Sequence, residues 1–155
     1  MIRAAGPGDA EAIHRLITLL AEYEREPAAV RTTPASIRAE LESEHPAFEC
    51  LLAEEDGRVV GFALFHETYS TWTGRGFYLE DFFVREEARG AGHGKALFRA
   101  CAQIAVERRH VRFDLSVLNW NTPAIDFYVA HGGRAVDDWT RFRFEGDALA
   151  RLVEA

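Results

Sequence analysis

Phe77-Tyr-Leu-Glu-Asp-Phe-Phe-Val84 is followed four residues later by Arg89-Gly-Ala-Gly-His-Gly94-Lys95, where a helical pattern begins. A strand, a glycine-rich turn and a helix in that order make an anion cradle. The glycines let backbone N–H groups approach a phosphate closely, and the helix N-terminus adds its dipole. Spacing excludes two other phosphate binders. A Walker A loop ends in Gly-Lys-Ser/Thr, whereas Gly94-Lys95 precedes Ala96, so no hydroxyl is offered to Mg²⁺. A dinucleotide fingerprint reads Gly-x-Gly-x-x-Gly, whereas these glycines stand at 90, 92 and 94. Arg89 in front and Lys95 behind can pair with the same anion.

On the N-terminal side, Ile2 to Ala5 reads as a short strand closed by Gly6-Pro7. Asp9 is placed to cap a helix whose apolar positions Ile13, Leu16, Ile17, Leu20 and Ala21 recur at helical spacing, and Pro27 ends it. Thr33-Pro34 opens a second helix through about Leu41. Phe48–Glu54 and Val59–Thr68 flank Asp56-Gly57, a hairpin signal, and residues 69–76 read as a polar aromatic loop before the strand at Phe77. Beyond the glycine turn come a helix over 93–109, a strand with Phe113, Leu115 and Val117 on one face, and a short helix opened by Thr122-Pro123. A strand around Trp139–Phe144 and a terminal helix complete the chain. The order β-α-α-β-β-β-α-β-α-β-α, without repeat or linker, describes one mixed α/β domain over residues 1–155.

Composition narrows the partners. At 155 residues and 48% hydrophobic content the chain is long enough for a sizeable core, and its net charge of −7 disfavours nucleic acid while favouring a cationic substrate. Cys50 and Cys101 sit in apolar segments and read as small buried hydrophobes rather than a disulfide. The six histidines are scattered without a ligand cluster, so no metal is expected. No run approaches membrane-spanning length, which points to a cytoplasmic protein.

The motif Arg89, Gly92, Gly94, lying between strand and helix, resembles that of the Gcn5-related N-acetyltransferase family. The nearer resemblance is to the diamine acetyltransferase branch, the spermidine/spermine and thialysine enzymes. Leu19-Leu-Ala-Glu-Tyr-Glu24, Tyr78-Leu-Glu-Asp-Phe-Phe-Val84, Asn119-Trp-Asn121 and Phe127-Tyr128 carry it, together with the glycine loop. The resemblance implies a central twisted sheet, mixed but mostly antiparallel, flanked by helices and splayed where acetyl-CoA enters. By the same resemblance, backbone groups of Phe82, Phe83 and Val84 hold the pantetheine arm. The loop Arg89, Gly90, Ala91, Gly92, His93, Gly94 with Lys95 receives the pyrophosphate, His93 and Ala91 through their N–H groups. Asn121 matches an asparagine that bonds the cofactor arm, although it equally suits a helix cap, and Phe127 is a packed aromatic beside it. The branch also implies a homodimer whose cleft both subunits shape.

Acetyl transfer requires an amine freed of its proton, a donor for the oxyanion, and a proton for the departing thiolate. By resemblance Glu80 is the base, acting through water, and Tyr128 the acid. Adjacent strand residues point to opposite faces, so Glu80 and Asp81 are expected to divide, one facing substrate and the other structural. Glu24, Trp72, Glu80 and Asp81 are the candidate amine contacts, Trp72 through its aromatic face. Arg75 either meets a substrate carboxylate or covers apolar surface. Polyamine-preferring relatives carry an acid at the position of Ser70, and Ser70-Thr71-Trp72 looks instead like the thialysine-type branch. The resemblance thus implies a lysine-like or other small primary amine. A polyamine acetyltransferase, a protein lysine acetyltransferase and a non-catalytic acyl-CoA-binding module are the alternatives.

Overall fold

A computed structural model describes residues 1–153, which divide into two compact units, Met1–Leu118 and the segment from Asn119 onward. The first unit holds a five-stranded sheet in the order β1-β2-β3-β4-β5: Ile2–Ala4, Glu49–Glu55, Arg58–Ser70, Gly74–Val84 and Phe113–Leu115. The first four strands pair antiparallel, and β5 adds to β4 in parallel. Helices α1 (Ala10–Tyr23), α2 (Pro34–Glu42) and α3 (His93–Glu107) complete this unit.

Each face of the sheet has its own core. Leu97, Cys101 and Ala105 of α3 pack with Ala63, Phe65, Phe77 and Leu79. Ala10, Ile13 and Leu16 of α1 and Ile37 of α2 pack on the other side with Cys50, Leu52, Phe62, Leu64 and Phe83. Phe77 stacks between Phe65 and Phe113, with ring centroids 4.5 and 4.6 Å away, fixing β4 between its two neighbours.

Local chemistry accounts for the element ends. Asp56 and Gly57 both take positive φ, 49° and 75°, as a two-residue hairpin turn whose twist matches its strands requires. α1 closes through Arg25 at φ 66°, with the Glu26 N–H reaching back to the Ala21 carbonyl, before Pro27. Asp9 does not cap α1. Its carboxylate takes the Gly6 N–H and the Arg3 guanidinium, tying β1 to the turn before the helix. The expected loop over 69–76 is shorter, because β3 extends to Ser70 and β4 begins at Gly74.

The second unit contains α4 (Thr122–Ala130) and α5 (Asp147–Arg151). The strand expected around Trp139–Phe144 does not form. A strand needs a hydrogen-bonded neighbour, and no ladder includes this segment among the described residues. Its Trp139 and Phe142 side chains are exposed.

Candidate acetyl-transfer site

β4 carries both halves of the candidate site of the first unit. Pairing with β5 stops at Leu79, so β4 continues from Glu80 to Val84 with β3 on one edge and no strand on the other among the described residues. The strand edge there runs along Phe82, Phe83 and Val84. An edge with no strand beside it is where an extended ligand can add alongside a sheet.

Between Leu64 and Phe65 the β3–β4 register shifts: Leu64 opposes Asp81 and Phe65 opposes Leu79, leaving Glu80 as the extra residue of a β-bulge. The bulge overturns the expectation that Glu80 and Asp81 face opposite ways. Leu79 belongs to the α3-side core and Phe82 packs against it. Asp81 opposes Leu64, a member of the α1-side core, and the Glu80 carboxylate meets His66, which alternates with Phe65 onto that same side. Both carboxylates therefore lie on the α1 side. Simple alternation would have driven Asp81 into the apolar core beneath α3, so the bulge has a packing cause.

The arrangement perturbs the acids. Burial, followed by the charges of Glu80 and Glu24, pushes the Asp81 carboxyl up to about 6. Burial likewise raises the Glu24 carboxyl at the end of α1. Glu24, Glu80 and Asp81 thus form one repelling group that an ammonium would relieve. Trp72 stands apart, 86% exposed at the tip of the β3–β4 hairpin. Six strand positions separate Gly74 from Glu80, roughly 20 Å at ~3.3 Å per residue, so one chain does not bring Trp72 to Glu80. Ser70 shapes that tip, its Oγ accepting from the Trp72 and Thr73 N–H groups. Arg75 donates to Glu67 at 2.6 Å, and Glu67 also engages the buried His110 ring at 2.9 Å, so the Arg75 guanidinium is already paired within the chain.

At the other end of β4, the turn Glu86–Ala88 leads into the glycine loop. Gly90 and Gly92 take φ 86° and 85°, conformations that side chains disfavour. Gly94 does not: a Cβ there would meet the Phe82 ring at 3.7 Å, an ordinary contact. No side chain caps α3 at Gly92, and the first helical N–H to close on the loop is that of Ala96, which bonds the Gly92 carbonyl. The N–H groups of the first turn, at His93, Gly94 and Lys95, are the orphan donors of a helix start. The His93 ring turns back to Glu55 at 3.2 Å, leaving its backbone N–H as its contribution to the loop. Ala91 is exposed between the two left-handed glycines. Arg89 braces the loop from behind, donating to the Val84 carbonyl at 3.1 Å with its guanidinium over the Tyr23 and Phe83 rings. Lys95 is exposed beside the helix start.

In the second unit, Asn121 caps α4, its Oδ1 accepting from the Ala124 N–H at 3.4 Å. Tyr128 and Phe127 are both half-buried on that helix, with their rings edge to face at 5.6 Å. His66 is the residue that sequence reasoning missed. Antiparallel pairing sets Ser70 against Gly74 and hence His66 against Tyr78, which makes Glu80 its diagonal neighbour on one face. The hairpin tip alone would have located it.

These features coincide with a known family. Residues 13–132 match the acetyltransferase (GNAT) family, and the chain belongs to it. A thialysine N-epsilon-acetyltransferase from Sus scrofa is 39% identical over 99% of this chain and 96% of its own. A spermidine/spermine N(1)-acetyltransferase-like protein from Homo sapiens is 34% identical over 98% of this chain and 23% of its own length. Among solved structures, an integron cassette protein from the mobile metagenome of V. cholerae superposes with a TM-score of 0.81 at 25% identity, covering 100% of this chain and 98% of that one. The open, mostly antiparallel five-stranded sheet flanked by helices is the GNAT fold. Members of the family use acetyl-CoA. Among the described residues no group of three or more histidine, cysteine, aspartate or glutamate side chains is disposed to hold a metal, and no helix is long and apolar enough to cross a membrane.

Proposed function

We propose that this protein transfers the acetyl group of acetyl-CoA to a small primary amine, of which lysine-like compounds such as thialysine are the preferred class. The observation that carries this reading is the build around β4: an uncapped helix start with left-handed glycines beyond its C-terminal end, and a one-sided carboxylate group within its C-terminal half. The 39%-identical thialysine enzyme supports the acceptor class, as does Ser70, whose hydroxyl shapes the hairpin tip where polyamine-preferring relatives carry an acid.

In this reading the N–H groups of residues 90–95 and Lys95 hold the pyrophosphate, while Arg89 keeps the loop shaped. The edge at Phe82, Phe83 and Val84 receives the pantetheine amides, and Asn121 and Phe127 are further cofactor contacts. Acetyl-CoA supplies the thioester carbonyl that the amine attacks. The acceptor arrives as an ammonium, drawn by Glu24, Glu80 and Asp81, and Glu80 takes its proton, directly or through water. Asp81 sits beside it as a second anionic contact. Tyr128, a phenol protonated at neutral pH, donates to the departing thiolate.

Residues 1–155 act as one N-acetyltransferase domain in this account, since the family match continues past Leu118 into the second compact unit. The working form is a homodimer. Exposed Trp139 and Phe142 suit burial against a second copy, and Trp72, roughly 20 Å from Glu80 of its own chain by strand length, suits a contact with the partner's cleft. A cytoplasmic location accords with two free, buried cysteines, of which Cys101 has its thiol pushed up to about 12 by burial. The test is amine-dependent release of CoA thiol from acetyl-CoA. Turnover supports the enzyme, whereas tight acetyl-CoA binding without turnover on any amine indicates a binding module.

A further inference from the structure

β3 places an imidazole directly against the candidate base. His66 Nε2 lies 3.2 Å from Glu80 Oε2, and His66 Nδ1 lies 3.2 Å from the Glu67 carbonyl oxygen. The ring stacks on Tyr78 at 5.2 Å, and the Tyr78 hydroxyl is bonded to Ser116 Oγ at 2.7 Å, so the imidazole is held in plane from below.

Both partners of His66 are acceptors. A carbonyl oxygen has no proton to give, an ionised carboxylate has none either, and a neutral imidazole carries only one N–H. With Glu80 ionised and His66 neutral, only one of the two contacts is a hydrogen bond. One further proton between Nε2 and Oε2 completes both, whether it rests on the imidazole or on the carboxyl. The acidic groups beside this pair on the same side of the sheet are Asp81 and Glu24, and the cation on that side, Arg89, lies over the Tyr23 and Phe83 rings. The Glu67 carboxylate turns away to Arg75 and His110.

We infer that His66 is a positioning residue for Glu80 that also takes up, through Glu80, the proton surrendered by the substrate ammonium. This rests on the reading of Glu80 as the base. The N–H bond of the ammonium breaks toward Glu80 Oε2, and the proton passes to Nε2 while Nδ1–H stays on the Glu67 carbonyl. The freed amine then attacks the thioester. The second amine proton replaces the one that Tyr128 gives to the departing thiolate, and the imidazolium, one-third exposed to solvent, discharges its proton to water before the next turnover.

Four enzymes decide it: wild type, His66→Gln, His66→Phe and Glu80→Gln, compared in kcat and kcat/KM from pH 6.5 to 9.5 with acetyl-CoA affinity measured alongside. Gln keeps a donor toward Glu80 but takes no proton, and Phe keeps the stack on Tyr78. Both should lose about tenfold or more in kcat at pH 7, with the deficit shrinking as the free amine fraction rises, and with acetyl-CoA affinity unchanged. Adding His66→Gln to Glu80→Gln should cost no more than Glu80→Gln alone. A slow Glu80→Gln beside a His66→Gln of wild-type profile overturns the relay and leaves Glu80 as base. A Glu80→Gln of wild-type profile instead removes the base itself. Should His66→Gln fail to fold, His66→Phe decides by the same criteria.

Discussion

At the glycine loop the backbone is dictated residue by residue, whereas at Glu80 it is dictated by a neighbour. Gly90 and Gly92 adopt left-handed conformations that their own chemistry permits and others resist, so the turn is written in the residues that make it. Nothing about Glu80 or Asp81 demands irregular backbone. The bulge arises because Phe77, Leu79, Phe82 and Val84 all pack on the α3 side while β3 keeps its own alternation, and one residue of β4 has to be left over. A strand and the loop that follows it thus reach function by different routes, the loop through conformational freedom and the strand through packing.

The contrast is broken most forcibly at Gly92. Gly92→Asp keeps a residue type that tolerates left-handed backbone but sets a carboxylate against the pyrophosphate. About 4 kcal/mol of repulsion at 4 Å and an effective dielectric of 20 corresponds to roughly a thousandfold loss of acetyl-CoA affinity. Gly92→Asn carries the same backbone demand without the charge and should lose far less, while Gly94→Ala, with its Cβ in ordinary contact with Phe82, should bind within a few-fold of wild type. Calorimetric affinities across the three separate charge from conformation. Equal losses for Asp and Asn would mean that backbone alone was at stake.

How much of this was legible follows the same division. The strand–turn–helix order, the hairpin at Asp56-Gly57 and the helices at Thr33-Pro34 and Thr122-Pro123 were readable because proline, glycine and capping residues act locally. The shared face of Glu80 and Asp81 was not, since strand alternation counts residues and a bulge changes the count. A hint was present in the spacing of Phe77, Leu79, Phe82 and Val84, whose interval widens once. The strand expected at Trp139–Phe144 failed for a related reason, in that alternation in a sequence does not supply the neighbouring edge. Asp9, read as a helix cap, and Arg75, read as a carboxylate contact or a cover for apolar surface, are both ion-paired within the chain, which their local sequence does not announce.

Tyr128→Phe sharpens the chemical side of the account. It keeps the ring and removes the hydroxyl, so kcat should fall about ten- to a thousandfold with little change in acetyl-CoA affinity. Single-turnover kinetics on the variant check this, and an unchanged chemical step would dismiss Tyr128 as the acid.

A smaller effect tests the burial of Asp81. Its folded pKa of about 6 lies above the ordinary 3.8, so the folded protein binds more protons than the unfolded chain between those values. Stability therefore falls as pH rises from about 4 through 6, by at most about 3 kcal/mol for a shift of two units, and stays lower above it. Asp81→Asn should remove this slope and be the more stable protein at pH 8 by roughly 1–3 kcal/mol. Urea denaturation at pH 4.5 and pH 8 measures both proteins. A wild type that gains stability over that interval relative to Asp81→Asn would place the carboxylate in a favourable, charge-satisfied site instead.

The acceptor class is the central claim, and one measurement tests it most directly: kcat/KM for thialysine, lysine, spermidine, putrescine and a lysine-bearing peptide at matched pH and ionic strength. The account predicts that thialysine or lysine exceeds spermidine. Spermidine preferred by tenfold or more, about 1.4 kcal/mol in transition-state binding, would contradict it and return the protein to the polyamine enzymes, and turnover of the peptide alone would make it a protein acetyltransferase.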